Sequence, residues 1–221
     1  MVGAGLDIDM RIDASLRDQF QIGKPRNQIP PDGGALAEQH DGVERRQPCG
    51  KTVDIPWLLA QGYRVAGAEL SEIALRDLFA EMGVVPEVTE TGAHRRYSAS
   101  GVEIFAGDIF ELTAETLGPV DAVYDRAALV ALPEGMRELY AAHLAAITGR
   151  APQLLVTFDY DQSVMDGPPF AVDEAGLRRC HDARFEIERL AEAEVPGGLK
   201  GVCPAIESAF LLRPSAETAR S

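Results

Sequence analysis

Cysteine is scarce in this chain: Cys49, Cys180 and Cys203 are widely spaced, with no CxxC pair. Thiols so scattered build neither a disulfide framework nor a zinc site, and they suit a reducing compartment. Positive charge is also short, with 21 Lys and Arg against 35 Asp and Glu, for a formal net charge of −14. That balance works against nucleic-acid phosphate or an anionic membrane as the main partner and favours small molecules. No apolar run approaches the roughly 18 residues of a membrane span, and the opening residues lack the basic and apolar regions of an export signal. The expectation is a cytoplasmic protein, neither exported nor anchored.

Several nucleotide and catalytic signatures are missing too. No GxGxxG follows a strand, so nicotinamide and flavin binding have no fingerprint. Cys49-Gly50-Lys51-Thr52 ends like a phosphate loop, but that pattern needs Gly at position 45, where the chain has Arg45. His94, His143 and His181 stand apart from one another and read as structural histidines before metal ligands. A Ser-His-Asp triad is assembled only by choosing residues freely, which is no evidence for one.

What is present is an α/β pattern. The 221 residues are 46% hydrophobic and 25% charged, an ordinary balance for one soluble domain. Residues 1–46 keep neither helical nor strand period and read as a divergent, weakly ordered segment; the domain proper is expected over 47–221. Asp54 and Pro56 mark a helix start before Trp57, with Gly62 at its end. Tyr63 to Leu70 reads as a strand, and Ser71 caps a helix whose Leu75, Leu78, Phe79 and Met82 form one stripe. Arg95 to Ser98 and Val102 to Phe105 make a hairpin, and Val120 to Asp125 a buried strand. A helix from Glu134 is expected to bury Met136, Leu139, Tyr140, His143, Leu144 and Ile147, and Gln153 to Tyr160 is a further buried strand. A helix from about Asp173 precedes two alternating strands, Phe185 to Leu190 and Ser208 to Leu212, expected as an antiparallel closing pair.

Strands ending in charge at Glu69, Asp108 and Asp125, with helices between them, describe a doubly wound sheet with polar groups along its carboxyl edge. Such an edge suits a nucleoside. A carboxylate after the second strand can accept from both ribose hydroxyls, which selects Glu69, while Asp108 would sit near an adenine ring. The residue pattern leaves plainer roles open: Glu69 as a helix-capping carboxylate, Asp108 as a turn former, Arg126 as the ion-pair partner of Asp125.

These residues carry a resemblance. Residues 49–72 (CGKTVDIPWLLAQGYRVAGAELSE), 105–112 (FAGDIFEL), 120–133 (VDAVYDRAALVALP), 154–162 (LLVTFDYDQ) and 165–172 (MDGPPFAV) are similar, in order and spacing, to successive motifs of the bacterial branch of the thiopurine S-methyltransferase family. The resemblance implies a Rossmann-like, class I S-adenosylmethionine-dependent methyltransferase with an antiparallel closing pair. Its reaction would move the methyl of S-adenosyl-L-methionine to a thiopurine or aryl thiol sulfur; some bacterial relatives act on selenium or tellurium oxyanions. By position Glu69 would hold the ribose, and Asp108 and Ile109 would lie along the adenine. Pro48, Cys49 and Gly50 would fall on the cofactor segment. Arg126 would lie beside the methionine end and the acceptor, favouring the thiolate by its charge, and Pro168 and Phe170 would belong to a loop covering the acceptor. No metal is implied.

The resemblance stops before Cys49. The family's F-W-x-x-R-W and I-G-F-H segments have no match, Trp57 being the only Trp, and the apolar strand V-P-L-C-G-K is replaced by Val43-Glu44-Arg45-Arg46-Gln47-Pro48-Cys49-Gly50-Lys51. A central strand carrying three charges is costly to bury. The first strand is therefore expected in degraded form. Two function classes follow: an active thiol methyltransferase, or a catalytically impaired relative that binds a nucleoside weakly or serves as an interaction domain. A monomer with a small thiol or metalloid substrate is expected, without nucleic acid or membrane as partner.

Overall fold

The computed structural model describes residues 54–216. Helix α1 (Asp54–Ala60) ends at Gly62, whose φ of +85° turns the chain where a Cβ would be strained. Strand β1 (Val65–Glu69) follows, then helix α2 (Glu72–Glu81), capped by Ser71, whose Oγ accepts from the Ala74 amide at 3.3 Å. Leu75 and Phe79, one turn apart, are the buried face of α2. Strands β2 (Glu87–Thr91), β3 (His94–Ala99) and β4 (Val102–Ala106) run antiparallel in turn, and β4 lies parallel to β1, giving the order β1-β4-β3-β2. The sequence reading did not anticipate β2. Its Glu87-Val88-Thr89-Glu90-Thr91 holds one aliphatic residue, so it borrows its strand character from pairing with β3.

A 3-10 turn (Ile109–Glu111) and helix α3 (Ala114–Leu117) lead to β5 (Val123–Asp125). Then come α4 (Ala128–Ala131), α5 (Glu134–Ile147), β6 (Gln153–Tyr160), α6 (Glu174–His181), β7 (Phe185–Glu194) and β8 (Ala205–Pro214). The second sheet has the order β5-β6-β8-β7, with β5 parallel to β6 and β8 antiparallel to both its neighbours. The closing pair is thus antiparallel as expected, and both its strands run further than the alternation suggests. Among the described residues β1 pairs with β4 alone and β5 with β6 alone, so the sheet comes in two halves. The strand expected just before Cys49 lies outside the described residues, as does the whole 1–46 segment.

Apolar packing joins the halves. Phe105 and Leu112, carried by the first half, share a buried cluster with Leu129, Tyr140, Leu144, Leu155 and Phe210 of the second. Each large side chain so buried contributes on the order of 1.5 to 3 kcal/mol. A smaller cluster of Leu75, Phe79, Tyr97, Val102 and Ile104 lies under α2. On α5 the buried face is Arg137, Tyr140, Ala141, Leu144, Ala145 and Ile147, whereas Met136 and Leu139 are 41% and 66% exposed. The expected stripe is corrected by rotation: Ala141 and Ala145 line the buried side, and the larger pair is turned outward.

Candidate active site

Glu69 and Asp108 stand at the carboxyl ends of adjacent parallel strands. The register sets Glu69 beside Ala106, and the Gly107 amide donates to the Glu69 carbonyl at 3.0 Å, so Asp108 leaves β4 next to the end of β1. Glu69 Oε1 accepts from the Ser71 amide at 2.7 Å, and Asp108 Oδ1 accepts from the Phe110 amide at 2.9 Å, capping the 3-10 turn. Both plainer roles are therefore filled. Neither exhausts the group, because a carboxylate has about four acceptor positions.

The segment after β4 is gripped from two sides. His94 Nε2 lies 2.9 Å from the Asp108 carbonyl and His143 Nε2 lies 2.8 Å from the Ile109 carbonyl. A carbonyl only accepts, so each imidazole carries its proton on Nε2. His181 makes the same kind of bond through Nδ1 to the Leu177 carbonyl at 3.0 Å, and burial pushes its pKa down. Each of the three rings is thus bonded to a backbone carbonyl. Among the described residues no cluster of His, Cys, Asp and Glu is arranged to hold a metal.

Arg126 follows β5 directly. Its Nη1 donates to Asp54 Oδ1 and Oδ2 at 3.2 and 3.0 Å, and the Tyr124 hydroxyl donates to Asp54 Oδ2 at 3.2 Å. Burial alone would depress the Arg126 pKa, but hydrogen bonding and attraction to Asp54, with lesser help from Tyr124 and Glu207, carry it upward. Burial, reinforced by Asp54, likewise raises the Tyr124 pKa, keeping the phenol neutral. The alternative pairing of Arg126 with Asp125 is not what forms. Neighbouring residues on a strand project to opposite faces, and Asp125 turns toward α5. There its Oδ2 accepts from the Tyr140 hydroxyl at 2.9 Å, and its Oδ1 accepts from the Ala128 and Leu129 amides at 3.0 and 3.2 Å.

The loop of residues 165–170 is pinned from several elements. The Pro168 carbonyl accepts from Lys200 Nζ at 2.6 Å, the Pro169 carbonyl from the Tyr160 hydroxyl at 2.7 Å, and the Phe170 amide donates to the Val130 carbonyl at 2.6 Å. The Gly167-Pro168 and Pro168-Pro169 peptides are both cis. Phe170 lines a hollow of about 480 Å³ with Arg137, Gln162 and Arg179, and the Arg137 guanidinium sits 5.8 Å from its ring centroid. Glu69, Asp108 and Arg126 do not line that hollow.

The expected residues thus fall into three groups: Glu69 with Asp108 and Ile109, Arg126 with Asp54 and Tyr124, and Pro168 with Phe170. Pro48, Cys49 and Gly50 lie outside the described residues. Sequence reasoning missed two members. Asp54 read only as a helix start, and Glu207, one residue before the strand expected from Ser208, was given no role. Glu207 is 2% exposed, and its Oε2 has no hydrogen-bond partner among the described residues. A carboxylate set against the apolar run that follows it in β8 is the signal that was available.

The half-sheets with helices between them make a Rossmann-like α/β fold of the class I type. A solved S-adenosylmethionine-dependent methyltransferase from Methanosarcina mazei matches with a TM-score of 0.54 at 15% identity, covering 75% of this chain and 89% of that one, a likeness of fold. The family model described as Thiopurine S-methyltransferase (TPMT) matches residues 47–200. A thiopurine S-methyltransferase of Xanthobacter autotrophicus is 62% identical over 164 residues, which span 74% of this chain and 77% of the relative. One from Gluconobacter oxydans is 49% identical over 166 residues, 75% of this chain and 76% of the relative. The chain belongs to the thiopurine S-methyltransferase family.

Proposed function

We propose that this chain methylates the sulfur of a small thiol at the carboxyl edge formed by β1, β4 and β5, with Glu69, Asp108, Ile109 and Arg126 as its working residues. As a member of its family the chain is an S-adenosylmethionine-dependent S-methyltransferase. The observation that carries the residue assignment is the adjacency of Glu69 and Asp108 across the Gly107 to Glu69 backbone bond. Two neighbouring carboxylates with spare acceptor capacity match the donors of a nucleoside, its ribose hydroxyls and exocyclic amine. Leu70, 77% exposed directly after Glu69, and Ile109 beyond Asp108 supply apolar surface suited to a flat base.

The cofactor, when bound, supplies a methyl group already activated on a positive sulfur. The chain's own work is to hold the acceptor in line with it and to exclude water. Arg126, oriented by Asp54, favours the thiolate form of the acceptor by its charge. Pro168 and Phe170, held by Lys200 and Val130, cover the acceptor side. Pro48, Cys49 and Gly50 complete the cofactor segment. In this reading 47–221 is the methyltransferase domain of a cytoplasmic monomer, and an environmental thiol or a metalloid oxyanion is the physiological acceptor.

Methyl transfer from labelled S-adenosylmethionine to a panel of aryl thiols, selenite and tellurite tests the activity. Calorimetry with S-adenosylhomocysteine tests the site. Glu69→Ala is expected to weaken that binding by the worth of one or two charge-assisted hydrogen bonds, about 1.5 to 3 kcal/mol each. An unchanged affinity would remove Glu69 from the site.

A further inference from the structure

Glu207 has no role in the assignment above, yet its place in the sheet is not that of a bystander. The register pairs Tyr124 with Leu154 across β5 and β6, and Phe158 with Glu207 across β6 and β8. Leu154 and Phe158 are an even number of positions apart on one strand, so Tyr124, Leu154, Phe158 and Glu207 share one face of the sheet. That face is opposite to the one on which Asp125 meets Tyr140. The β5–β6 ladder ends at Asp125 and Leu155, so the Phe158–Glu207 row lies past the carboxyl end of β5. In an open α/β sheet that is where ligands bind.

Charge leads to the same place. Tyr124, Arg126 and Asp54 form one bonded group, and Glu207 interacts electrostatically with all three. Among the described residues Arg126 is thus the cation set between the Asp54 and Glu207 carboxylates, and its Nη1 donates to Asp54. Glu207 is left almost wholly buried with Oε2 unbonded among the described residues. A buried acceptor without a donor is costly to keep, and a ligand bringing a proton to it would relieve the cost.

We propose that Glu207 is the proton acceptor for weakly acidic thiols. The proposal rests on the S-methyltransferase reading. In the step, the thiol S–H proton passes to Glu207 Oε2 and the thiolate attacks the methyl carbon of the sulfonium. A new sulfur–carbon bond forms, and the old one breaks with its electron pair on the departing sulfur. The products are the methyl thioether and neutral S-adenosylhomocysteine, and Glu207 returns its proton to solvent. Arg126 alone would serve a thiol that arrives already ionised; Glu207 extends the range to thiols that do not.

The test compares Glu207→Gln with the unaltered chain on two aryl thiols, one acidified by a nitro group and one made weakly acidic by alkyl substitution. The expected result is a fall in kcat/KM of roughly 100-fold for the weakly acidic thiol and little change for the nitro thiol. Equal losses on both would make Glu207 a structural residue, and no loss on either would free it of any role; each result overturns the proposal. Should Glu207→Gln not fold, solvent deuterium effects on the unaltered chain decide the matter. A normal isotope effect with the weakly acidic thiol alone supports the proposal, and none with either thiol refutes it. Absence of methylation of every thiol by the unaltered chain would instead sink the S-methyltransferase reading itself.

Discussion

Asp54 and Arg126, 72 positions apart, meet through two hydrogen bonds from one guanidinium nitrogen, and the Tyr124 hydroxyl joins them on the same carboxylate. The helix that leads into β1 is thereby tied to the end of β5. Asp54→Ala should cost about 1 to 2 kcal/mol of stability, below the full value for a charged hydrogen bond because both side chains keep some solvent contact. Urea unfolding of Asp54→Ala, Arg126→Ala and the double variant would read the coupling. Additive losses would mean that the pair contributes nothing jointly.

Gly107 has a φ of +148°, and a Cβ there would come within 2.7 Å of His94 Cδ2. Gly107→Ala is therefore both strained in backbone and crowded by a ring held to the next residue's carbonyl. We expect a loss of about 1 to 3 kcal/mol. Affinity for S-adenosylhomocysteine should fall as well, because Asp108 moves with the strain. A variant with unaltered urea midpoint and affinity would show that His94 yields freely.

Burial raises the pKa of Asp125, while the Tyr140 hydroxyl and the Leu129 and Ala128 amides pull it down. Tyr140→Phe removes the strongest of those opposing bonds and leaves a buried carboxylate short of a donor. The expected cost is about 1 to 3 kcal/mol at neutral pH. The sign with pH follows from linkage. A folded-state pKa raised further above the unfolded one means stability held below the unfolded value and lost as pH rises through the folded one. The deficit of Tyr140→Phe should thus shrink on going from neutral pH toward pH 4, as read by urea midpoints in paired buffers. A deficit independent of pH would assign the loss to packing.

Gln153 is fully buried between β5 and β8, and neither atom of its amide has a hydrogen-bond partner among the described residues. Gln153→Leu keeps most of the volume and removes the unpaired groups. It should raise stability by about 1 kcal/mol, seen as a higher urea midpoint. A lower midpoint would reveal a bonding partner for the amide.

Much of this was legible because each signal is local. The alternation of strands and helices from Val65 onward set Glu69 and Asp108 at one sheet edge, and periodicity alone located β6 and the closing pair. The links between distant residues were not legible. Nothing in Asp54 announces Arg126, since an acid opening a helix already has a sufficient local reason to be there. Met136 and Leu139 were expected inside because they are apolar, but the buried side of α5 includes Ala141 and Ala145. Strand β2 escaped because two glutamates and two threonines surround its single valine. Glu207 escaped because the strand was expected to begin at Ser208, one residue after it, whereas β8 begins at Ala205.

His94 belongs to β3 in the first half of the sheet and His143 to α5 in the second, yet they hold consecutive carbonyls, those of Asp108 and Ile109. That dipeptide is consequently a rivet driven through both plates of the molecule. Any shear of one half against the other would tug on the two imidazoles in different directions and register first in the backbone of Asp108 and Ile109. On the site proposed above, affinity for a nucleoside thereby becomes a strain gauge for the alignment of the two half-sheets.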